Sequence, residues 1–274
     1  MVFSRLNLLR MLSTCATIIN YGMTLDFHLI ELKQTDSTNR YLTSLCDKRQ
    51  DEVEPFTVVM ADYQSAGKGQ RGNSWESEAG ANLTFSFVLY PSFLTAKRQF
   101  VISQIISLGI VKALRKYVEE GISIKWPNDI YYHDKKICGI LVEIYLEGAN
   151  LGRCVCGIGL NVNQEIFLSD APNPVSLCAI INRKVDRMTL LQDVMEEIQS
   201  LYAQQKSDDE EMRMNLTINY FQQLYRRKGY HRYKDKEGEF SAKLLMVEPD
   251  GRLVLEDKNQ RKRSYLFKEI QYII

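Results

Sequence analysis

A glycine-rich segment of this 274-residue chain carries residue types that bind anions. It reads Gln64-Ser65-Ala66-Gly67-Lys68-Gly69-Gln70-Arg71-Gly72-Asn73-Ser74-Trp75. Because glycine lacks a Cβ, three glycines let backbone N–H groups approach an anion closely. Lys68 and Arg71 add positive charge, and Trp75 offers a flat face for a ring. The segment therefore indicates an anion site beside a ring, and a flexible surface loop is the alternative.

The glycine spacing imitates two nucleotide-binding motifs without their structural context. The three glycines fit G-x-G-x-x-G, but that dinucleotide fingerprint requires a helix directly after it and an acidic residue about 20 positions on. The chain instead enters a predicted strand at Leu83, and residues 79–118 contain no Asp or Glu. Asn73 stands where a P-loop requires its lysine. We therefore expect neither a Rossmann site nor a P-loop.

Two lysines lie in further motifs. The run Lys-Trp-Pro-Asn-Asp at 125–129 joins two strand-like segments, and Pro127 cannot donate a ladder hydrogen bond, so the strand must lie at an edge or bend there. Burying a lysine is costly, so Lys125 needs an anionic partner or an open cleft. Lys136 starts a predicted strand, where a rigid scaffold lets it face a ligand. Gly139, inside that strand, indicates close approach of a backbone or ligand.

The hydrophobic pattern predicts the elements that must position these residues. Strands are predicted at 25–33, 56–61, 83–90, 122–132, 137–147 and 153–162, with a hairpin turn at 133–136. Helices are predicted at 39–48, 99–120, 189–205 and 209–226. Gly121 is expected to end the second helix and Thr189 to cap the third. Short alternating strands occupy 238–274, with a tight turn at 249–251, and predict a small all-β unit.

Composition limits the classes of function. Thirty-five Lys and Arg against 34 Asp and Glu give a net charge of +1, which argues against a protein that coats nucleic acid. Six cysteines without a C-x-x-C pair, and only three histidines, argue against a zinc finger or a histidine metal site. Sparse cysteines fit a reducing compartment, and no apolar run reaches the roughly 20 residues of a membrane span. We therefore expect a cytoplasmic protein.

The first 22 residues invite a signal-peptide assignment that their pattern does not support. Arg10 interrupts the apolar stretch, and the next apolar patch is short. A second methionine, Met23, stands just before the first predicted strand. We expect residues 1–22 to be a frayed extension or to precede the true start.

Five motifs in chain order resemble the biotin protein ligases. They are Ser37-Thr38-Asn39, the loop at 64–75 that ends in Trp, Lys-Trp-Pro-Asn-Asp at 125–129, Lys-x-x-Gly-Ile-Leu-Val-Glu at 136–143, and Gly-Ile-Gly-Leu-Asn-Val-Asn at 157–163. The resemblance covers roughly residues 30–274. It implies an α+β fold with a mixed or antiparallel sheet of the class II aminoacyl-tRNA synthetase and biotin synthetase type. It also implies an SH3-like β-barrel at the C-terminus.

The resemblance implies three segments and one activity. Residues 1–24 would be an extension, 25–228 the catalytic domain and 229–274 the SH3-like domain. In the family, ATP and biotin form biotinyl-5′-adenylate with the help of Mg²⁺, and biotin then passes to one lysine of a biotin carboxyl carrier protein. Only about 25 residues precede the first strand, too few for a helix-turn-helix domain, so the single-function form without nucleic acid or membrane binding is expected. A monomer or weak homodimer is expected.

Site residues are carried over position by position. The biotin contacts would be Ser37, Thr38, Asn39, Gln64, Gly67, Lys68, Gly69, Gln70, Lys136, Gly139 and Gly157. The nucleotide contacts would be Arg71, Trp75, Asn128 and Asn161. Lys136 and Arg71 would be catalytic, because attack of a carboxylate on a phosphate brings together two anions that cations must neutralise. No protein metal site is assigned, and Asp129 would either orient groups or hold metal.

The loop departs from the commonest family form, Gly-Arg-Gly-Arg-x-Gly-Arg. Lys68, Gln70 and Asn73 replace three arginines, and lysine gives a point charge without the bidentate fork. In the family, the position of Gln70 is linked to retention of the adenylate, so retention stays open here. The sequence also leaves two rival functions: a lipoate–protein ligase, which shares the catalytic fold, and a non-catalytic biotin-binding regulatory protein.

Overall fold

The computed structural model describes residues 16–17, 27–49, 52–69, 74–169, 173–207 and 209–274. Its strands are β1 (Ala16–Thr17), β2 (Leu29–Thr35), β3 (Val58–Gln64), β4 (Leu83–Leu89), β5 (Ile122–Lys125), β6 (Asp129–Tyr132), β7 (Lys135–Glu147), β8 (Asn150–Leu160), β9 (His231–Asp235), β10 (Gly238–Val247), β11 (Leu253–Asp257), β12 (Lys262–Tyr265) and β13 (Gln271–Tyr272). Its α-helices are α1 (Thr38–Lys48), α2 (Phe100–Arg115), α3 (Leu177–Ile181), α4 (Arg187–Lys206) and α5 (Glu210–Gln222). A short 3₁₀ helix occupies Ala96–Arg98.

Eight strands form a mixed sheet, which confirms the predicted α+β class. The strand order is β1-β2-β3-β4-β8-β7-β6-β5. The pair β2 and β3 is parallel, and the other neighbours are antiparallel. Every residue of β4 is buried, because this central strand is covered on both faces. Five of its seven residues are Phe, Val or Leu, and the two polar ones, Thr84 and Ser86, are also buried.

Helices α2 and α4 pack closely and cover one side of the core. A β-carbon on Gly109 would lie 2.5 Å from Cγ1 of Ile198. Glycine at this position is what allows the two helices to approach so closely. Thirteen of the sixteen residues of α2 are buried, so this helix is central to the core rather than a surface element.

The predicted strand at 122–132 is two strands. Residues 126–128 form a turn, and Lys125 pairs with Asp129 in the antiparallel ladder of β5 and β6. Strand β5 is also the edge of the sheet. Both consequences expected of Pro127 are therefore observed, since the chain bends there and β5 is the last strand of the sheet. On the outer side of β5, the N–H of Ile124 donates to the Gln223 carbonyl and its carbonyl accepts from the N–H of Tyr225, both at 2.8 Å.

Two helix boundaries differ from the predictions. Helix α2 ends at Arg115, so Gly121, with φ +87°, is not its cap; its carbonyl accepts a hydrogen bond from the N–H of His133 at 2.8 Å instead. Helix α4 begins at Arg187, and its N-cap is Asp186, whose carboxylate accepts from the N–H of Thr189 at 2.8 Å. Thr189 therefore lies within the first turn. The short helix α3 was not predicted.

The C-terminal strands form a separate antiparallel sheet of order β12-β11-β10-β9-β13. Within the fully described range 209–274, its end strands β12 and β13 are not paired, so a closed barrel is not observed. The predicted turn before β11 is present, with Gly251 at φ +93° and its N–H donating to the carbonyl of Glu248 at 2.8 Å. This turn contacts the turn between β5 and β6 of the large sheet, because Nε1 of Trp126 donates to the Gly251 carbonyl at 2.9 Å.

The N-terminal prediction is tested only at two residues. Ala16 pairs with Leu32 and Thr17 with Glu31, and together they form an edge strand. This part of the expected frayed extension therefore joins the sheet. The remainder of residues 1–26 lies outside the described residues. Among the helices of the described ranges, none combines the length and the apolar character that a bilayer crossing requires.

Candidate functional site

An open cleft of about 1820 Å³ lies where one end of the large sheet meets the C-terminal sheet. It brings together most of the residues predicted from the motifs. Those lining it are Ser37, Thr38, Asn39, Gln64, Lys68, Gly69, Trp75, Asn128, Lys136, Gly139, Gly157 and Asn161. Gln70 and Arg71, together with Gly72 and Asn73, lie outside the described residues.

At the base of the glycine-rich loop, the two ends of the loop run side by side and are hydrogen-bonded to each other. Lys68 and Ser74 form an antiparallel bridge, and the N–H of Trp75 donates to the carbonyl of Gly67 at 3.0 Å. A β-carbon on Gly67 would lie 2.7 Å from the carbonyl oxygen of Trp75. Gly67 is therefore needed for the close approach of the two ends that places Trp75, and it does not itself line the cleft.

A polar pocket begins at the N-terminus of α1. Oε1 of Gln64 accepts from the N–H of Thr38 at 2.8 Å and from its hydroxyl at 3.2 Å. Ser37 is the helix N-cap, and no side-chain cap bond is formed there. The amide of Gln64 is thus fixed by the first turn of the helix and oriented along the cleft wall.

The pocket continues to Asn39, which lies directly over Gly157. A β-carbon on Gly157 would lie 2.1 Å from Oδ1 of Asn39, so only glycine fits beneath this side chain. Nδ2 of Asn39 donates to Oε2 of Glu143 at 2.9 Å, and the Ser86 hydroxyl lies 2.6 Å from its Oδ1. These bonds orient the amide completely.

Ser86 was missed by the sequence analysis, although a signal was present. It is the serine within the run Leu-Thr-Phe-Ser-Phe-Val-Leu of β4, and it is fully buried beside Thr38 and Asn39. A buried hydroxyl in an apolar strand needs a polar partner. The alternation of polar and apolar residues along β4 therefore indicates which face borders the pocket.

The indole of Trp75 lies across two glycines that face each other in the ladder of β7 and β8. Gly139 pairs with Gly159. A β-carbon would lie 2.2 Å from Cε2 of the ring at Gly159 and 3.0 Å from Cζ3 at Gly139. Nε1 of Trp75 is buried without a hydrogen-bond partner among the described residues. The two glycines form a flat platform for a planar group.

Lys136 stands beside this ring and carries the central charge of the cleft. Its Nζ lies 2.7 Å from Oδ1 of Asp129 and 5.7 Å from the centroid of the Trp75 ring. Its backbone is fixed by the N–H donating to the Asn173 carbonyl at 2.9 Å. The lysine is less than one-third exposed, so an incoming anion meets a positioned ammonium.

Two asparagines shape the wall next to Lys136. Nδ2 of Asn128 donates to the Ile140 carbonyl at 2.7 Å, and Nδ2 of Asn161 donates to the Val175 carbonyl at 3.2 Å. Both side chains line the cleft. Their donor groups hold neighbouring backbone segments, so they fix the wall as well as facing the cleft.

The side chain of Glu76 joins two segments at the rim of the cleft, a contact that the sequence did not predict and that we call the Glu76 clasp. The carboxylate of Glu76 accepts from the N–H of Leu168 at 2.7 Å and from that of Ser169 at 2.9 Å. Partial burial would raise the pKa of Glu76, but the bonds from Ser169, Leu168 and Gln164 outweigh it and hold this pKa below its usual value. The charged carboxylate therefore ties the segment after the glycine-rich loop to the opposite rim.

Lys125 lies deeper in the cleft, against the C-terminal sheet. Its Nζ is 5.1 Å from the ring centroid of Tyr131 and 4.9 Å from that of Tyr272. Burial lowers the pKa of Lys125, and Asp129 opposes this effect. The expectation of an open cleft around this lysine is met, with two aromatic rings beside it.

The arrangement can hold a polar ring in a pocket of amides and hydroxyls, and a planar group beside Trp75. Lys136, which lines the same cleft beside Trp75, can neutralise an anion. No three His, Cys, Asp or Glu side chains in the described part of the chain cluster as metal ligands. An ion held here would need ligands from a bound substrate.

The comparisons with known proteins agree on one family. Residues 31–161 match the Biotin/lipoate A/B protein ligase family. The bifunctional ligase/repressor BirA of Escherichia coli is 35% identical over 127 residues, which are 46% of this chain and 38% of that protein. The biotin–[acetyl-CoA-carboxylase] ligase of Paracoccus denitrificans is 32% identical over 134 residues, 48% of this chain and 53% of that protein. The chain thus matches about two-fifths of one relative and half of the other.

A solved structure covers more of the chain. The biotin protein ligase of Aquifex aeolicus in complex with biotin and ATP has a TM-score of 0.73 at 25% identity. The match covers 90% of this chain and 99% of that chain, so it includes the small C-terminal sheet as well as the larger domain.

Proposed function

We propose that this protein, whose residues 31–161 match the biotin/lipoate A/B protein ligase family, is an ATP-dependent biotin protein ligase. It activates biotin as biotinyl-5′-adenylate and transfers it to a lysine of a biotin carboxyl carrier protein. The observation that carries the proposal is the position of Lys136. It lines the same cleft as Asn39 and Gln64 and lies beside the ring of Trp75, where we place the meeting of a carboxylate and an α-phosphate.

Biotin occupies the amide and hydroxyl pocket in this proposal. Its ureido ring offers N–H donors and a carbonyl acceptor, and the fixed polar groups of Thr38, Asn39 and Gln64 offer the complement. The ring and the chain that follows it lie along the floor near Gly139 and Gly157, where the missing side chains let Trp75 and Asn39 approach the sheet closely. The contacts assigned to Ser37, Lys68, Gly69 and Gln70 are part of the same proposal.

The nucleotide lies on the other side of Lys136. Trp75, Asn128 and Asn161 hold adenine, and Arg71 contacts the phosphates. The support for this arrangement is that Trp75 and the two asparagines border one stretch of the cleft wall. A buried indole N–H without a partner also favours a hydrogen-bond acceptor next to the ring.

Activation joins two anions, and this fixes the role of the cations. A biotin carboxylate oxygen attacks the α-phosphorus of ATP, the bond to the bridging oxygen breaks, and pyrophosphate leaves. Lys136 must leave Asp129 and neutralise the charge that develops on the phosphoryl oxygens. Asp129 holds the ammonium in place until then, so it acts as an orienting group.

Magnesium fits this site only as an ion that binds together with the phosphates of the substrate. Mg²⁺ usually binds proteins through one or two carboxylates and the phosphates of a substrate, and Asp129 is the carboxylate beside Lys136. When bound, the ion offsets the charge of the departing pyrophosphate. We assign it no other protein ligand.

Transfer completes the reaction. The neutral amine of the carrier lysine attacks the acyl carbon of the adenylate, and an amide bond forms as the bond from this carbon to the phosphate oxygen breaks. AMP leaves, and the amine gives up one proton to the solvent. The carrier protein approaches from the open side of the cleft, which the C-terminal sheet borders. We assign that sheet to the SH3-like type and expect a cytoplasmic monomer or weak homodimer.

A direct test separates biotin from lipoate. The protein is incubated with ATP and either acid, and the products are separated and identified by mass spectrometry. The proposal expects biotinyl-5′-adenylate and pyrophosphate with biotin, and neither with lipoate. Activation of lipoate alone would assign the chain to the lipoate branch, and biotin binding without pyrophosphate release would favour a non-catalytic regulatory protein.

A further inference from the structure

Lys125 is a lysine that the activation chemistry does not yet use. It lines the same cleft as Lys136, and within the described ranges no carboxylate forms an ion pair with its ammonium. Its neighbours are the rings of Tyr131 and Tyr272 at about 5 Å. An ammonium held over aromatic faces keeps its charge while losing part of its water shell, so it is ready to bind an anion.

The strand register places Lys125 next to Lys136. Lys125 pairs with Asp129 across β5 and β6, so their side chains lie on one face of the sheet. The carboxylate of Asp129 contacts Nζ of Lys136 at 2.7 Å. The ammonium groups of Lys125 and Lys136 therefore both lie beside the carboxylate of Asp129, and the three groups together carry a net charge of +1. When Lys136 engages an α-phosphate, Lys125 is a second cation of the cleft that lies beside Asp129.

We propose that Lys125 binds the β- and γ-phosphates of ATP and the pyrophosphate they become, an inference that rests on the proposed ligase function. Tyr272 belongs to the C-terminal sheet, so this sheet completes the polyphosphate site by positioning Lys125. The lowered pKa of Lys125 is consistent with an ammonium that gains from an anionic partner, because burial penalises its charge when none is bound.

A purely structural role is the competing explanation. Lys125 contacts rings from both sheets, so it could serve only to join the two domains. The two roles differ in which ligands they affect. A polyphosphate contact matters for ATP and pyrophosphate but not for biotin or biotinyl-5′-adenylate, since these lack the β- and γ-phosphates. A lysine that only joins the two sheets, which we call a brace, would affect the stability of the protein and the binding of all ligands alike.

The test compares Lys125→Met with wild type, Lys125→Arg and the control Lys33→Met, which removes an exposed lysine of β2. For each protein we measure binding of inorganic tripolyphosphate, inhibition by pyrophosphate, the affinity for biotinyl-5′-adenylate and the thermal midpoint. In Lys125→Met, we expect tripolyphosphate binding and pyrophosphate inhibition to weaken about tenfold or more, as for loss of a charge-assisted bond. Adenylate affinity should stay within about twofold. Lys125→Arg and Lys33→Met should behave like wild type.

Three results would overturn the inference. The first is unchanged tripolyphosphate binding and pyrophosphate inhibition in Lys125→Met. The second is an equal loss of affinity for tripolyphosphate and biotinyl-5′-adenylate together with a lowered thermal midpoint, which identifies a brace. The third is wild type that forms biotinyl-5′-adenylate but binds no tripolyphosphate. If wild type forms no adenylate, the ligase function fails first. Lys125→Gln keeps a long side chain between the rings and gives the same comparison if Lys125→Met does not fold.

Discussion

The indole ring of Trp75 lies so close to Gly159 that a β-carbon on the glycine would sit 2.2 Å from Cε2 of the ring. No side chain larger than hydrogen is compatible with this contact. The ring therefore has one position, above the ladder between β7 and β8 and beside Lys136. The pairing of a glycine platform with a tryptophan from a distant loop is the feature on which we base the proposed nucleotide side of the cleft.

Gly159→Ala is expected to displace Trp75 and weaken nucleotide binding. The added methyl cannot fit under the ring, and overpacking of this kind costs about 1–3 kcal/mol. We expect KM for ATP to rise about tenfold or more, with the affinity for biotin unchanged. Gly152→Ala is the control, because it adds a methyl to the same strand at Glu147, near the hairpin. An unchanged KM for ATP in Gly159→Ala would remove Trp75 from the nucleotide site.

Gly157→Ala should act on the other substrate. Its methyl would meet Oδ1 of Asn39 and push this amide out of its bonds with Glu143 and Ser86. We expect biotin affinity to fall about tenfold or more, corresponding to about 1.4 kcal/mol, with less effect on ATP. Calorimetric titration with biotin checks this. Gly157 and Gly159 lie two residues apart on one face of the strand. A loss of biotin affinity in Gly157→Ala and a loss of ATP affinity in Gly159→Ala would therefore locate the border between the two ligands.

Lys136→Ala is expected to lose adenylate formation by more than about tenfold, a change of about 1.4 kcal/mol or more in the barrier. The lysine is needed where the carboxylate meets the phosphate, so pyrophosphate release with biotin and ATP is the readout. Lys33→Ala serves as the control for loss of one positive charge at an exposed strand position. Wild-type rates of pyrophosphate release in Lys136→Ala would contradict the assignment of Lys136 as catalytic.

The Glu76 clasp predicts a defined dependence on pH. The pKa of this carboxyl is lowered in the folded protein, so its stabilising effect is complete above the unfolded value of about 4.3. It is lost as the pH falls through the lowered folded value, and not near neutral pH. Hydrogen exchange of the amides of Leu168 and Ser169 should therefore be slow at pH 6–7 and, corrected for intrinsic rates, faster well below pH 4.

Glu76→Gln should reproduce that loosening at neutral pH. An amide offers one acceptor oxygen without charge, whereas the carboxylate uses one oxygen for each N–H, so about 1 kcal/mol is lost. Glu78→Gln is the control, since it lies two residues away on the same segment. Equal exchange at Leu168 and Ser169 in wild type and Glu76→Gln would show that the clasp does not hold the rim.

Local patterns predicted most of the helices and strands, but they missed α3 and merged β5 and β6 into one strand. Pro127 predicted the bend and the edge position of β5, because a missing donor has a direct consequence for a sheet. Helix ends were less accurate. Val118 continues the apolar periodicity of the helix, and Gly121 has the positive φ typical of a cap, but α2 ends at Arg115. The N-cap of α4 is Asp186 and not the predicted Thr189, because the carboxylate of Asp186 accepts the hydrogen bond from the N–H of Thr189.

Long-range contacts were not accessible from the sequence. The bond from Leu168 to Glu76 spans 92 residues, and that from Trp126 to Gly251 spans 125. The Lys-Trp-Pro-Asn-Asp motif indicated a ligand site, yet its Trp126 is buried against the C-terminal turn. Which member of a motif faces the cleft and which joins two domains depends on how distant strands pack, and no local spacing encodes it.

One measurement tests the central claim most directly. The protein, ATP and a biotin carboxyl carrier domain are incubated with radiolabelled biotin or radiolabelled lipoate, and the label on the carrier is counted after denaturation. We predict covalent label from biotin alone, on one lysine and dependent on ATP, and no label with Lys136→Ala. Label from lipoate rather than biotin, or ATP-independent retention of biotin without label on the carrier, would contradict the account.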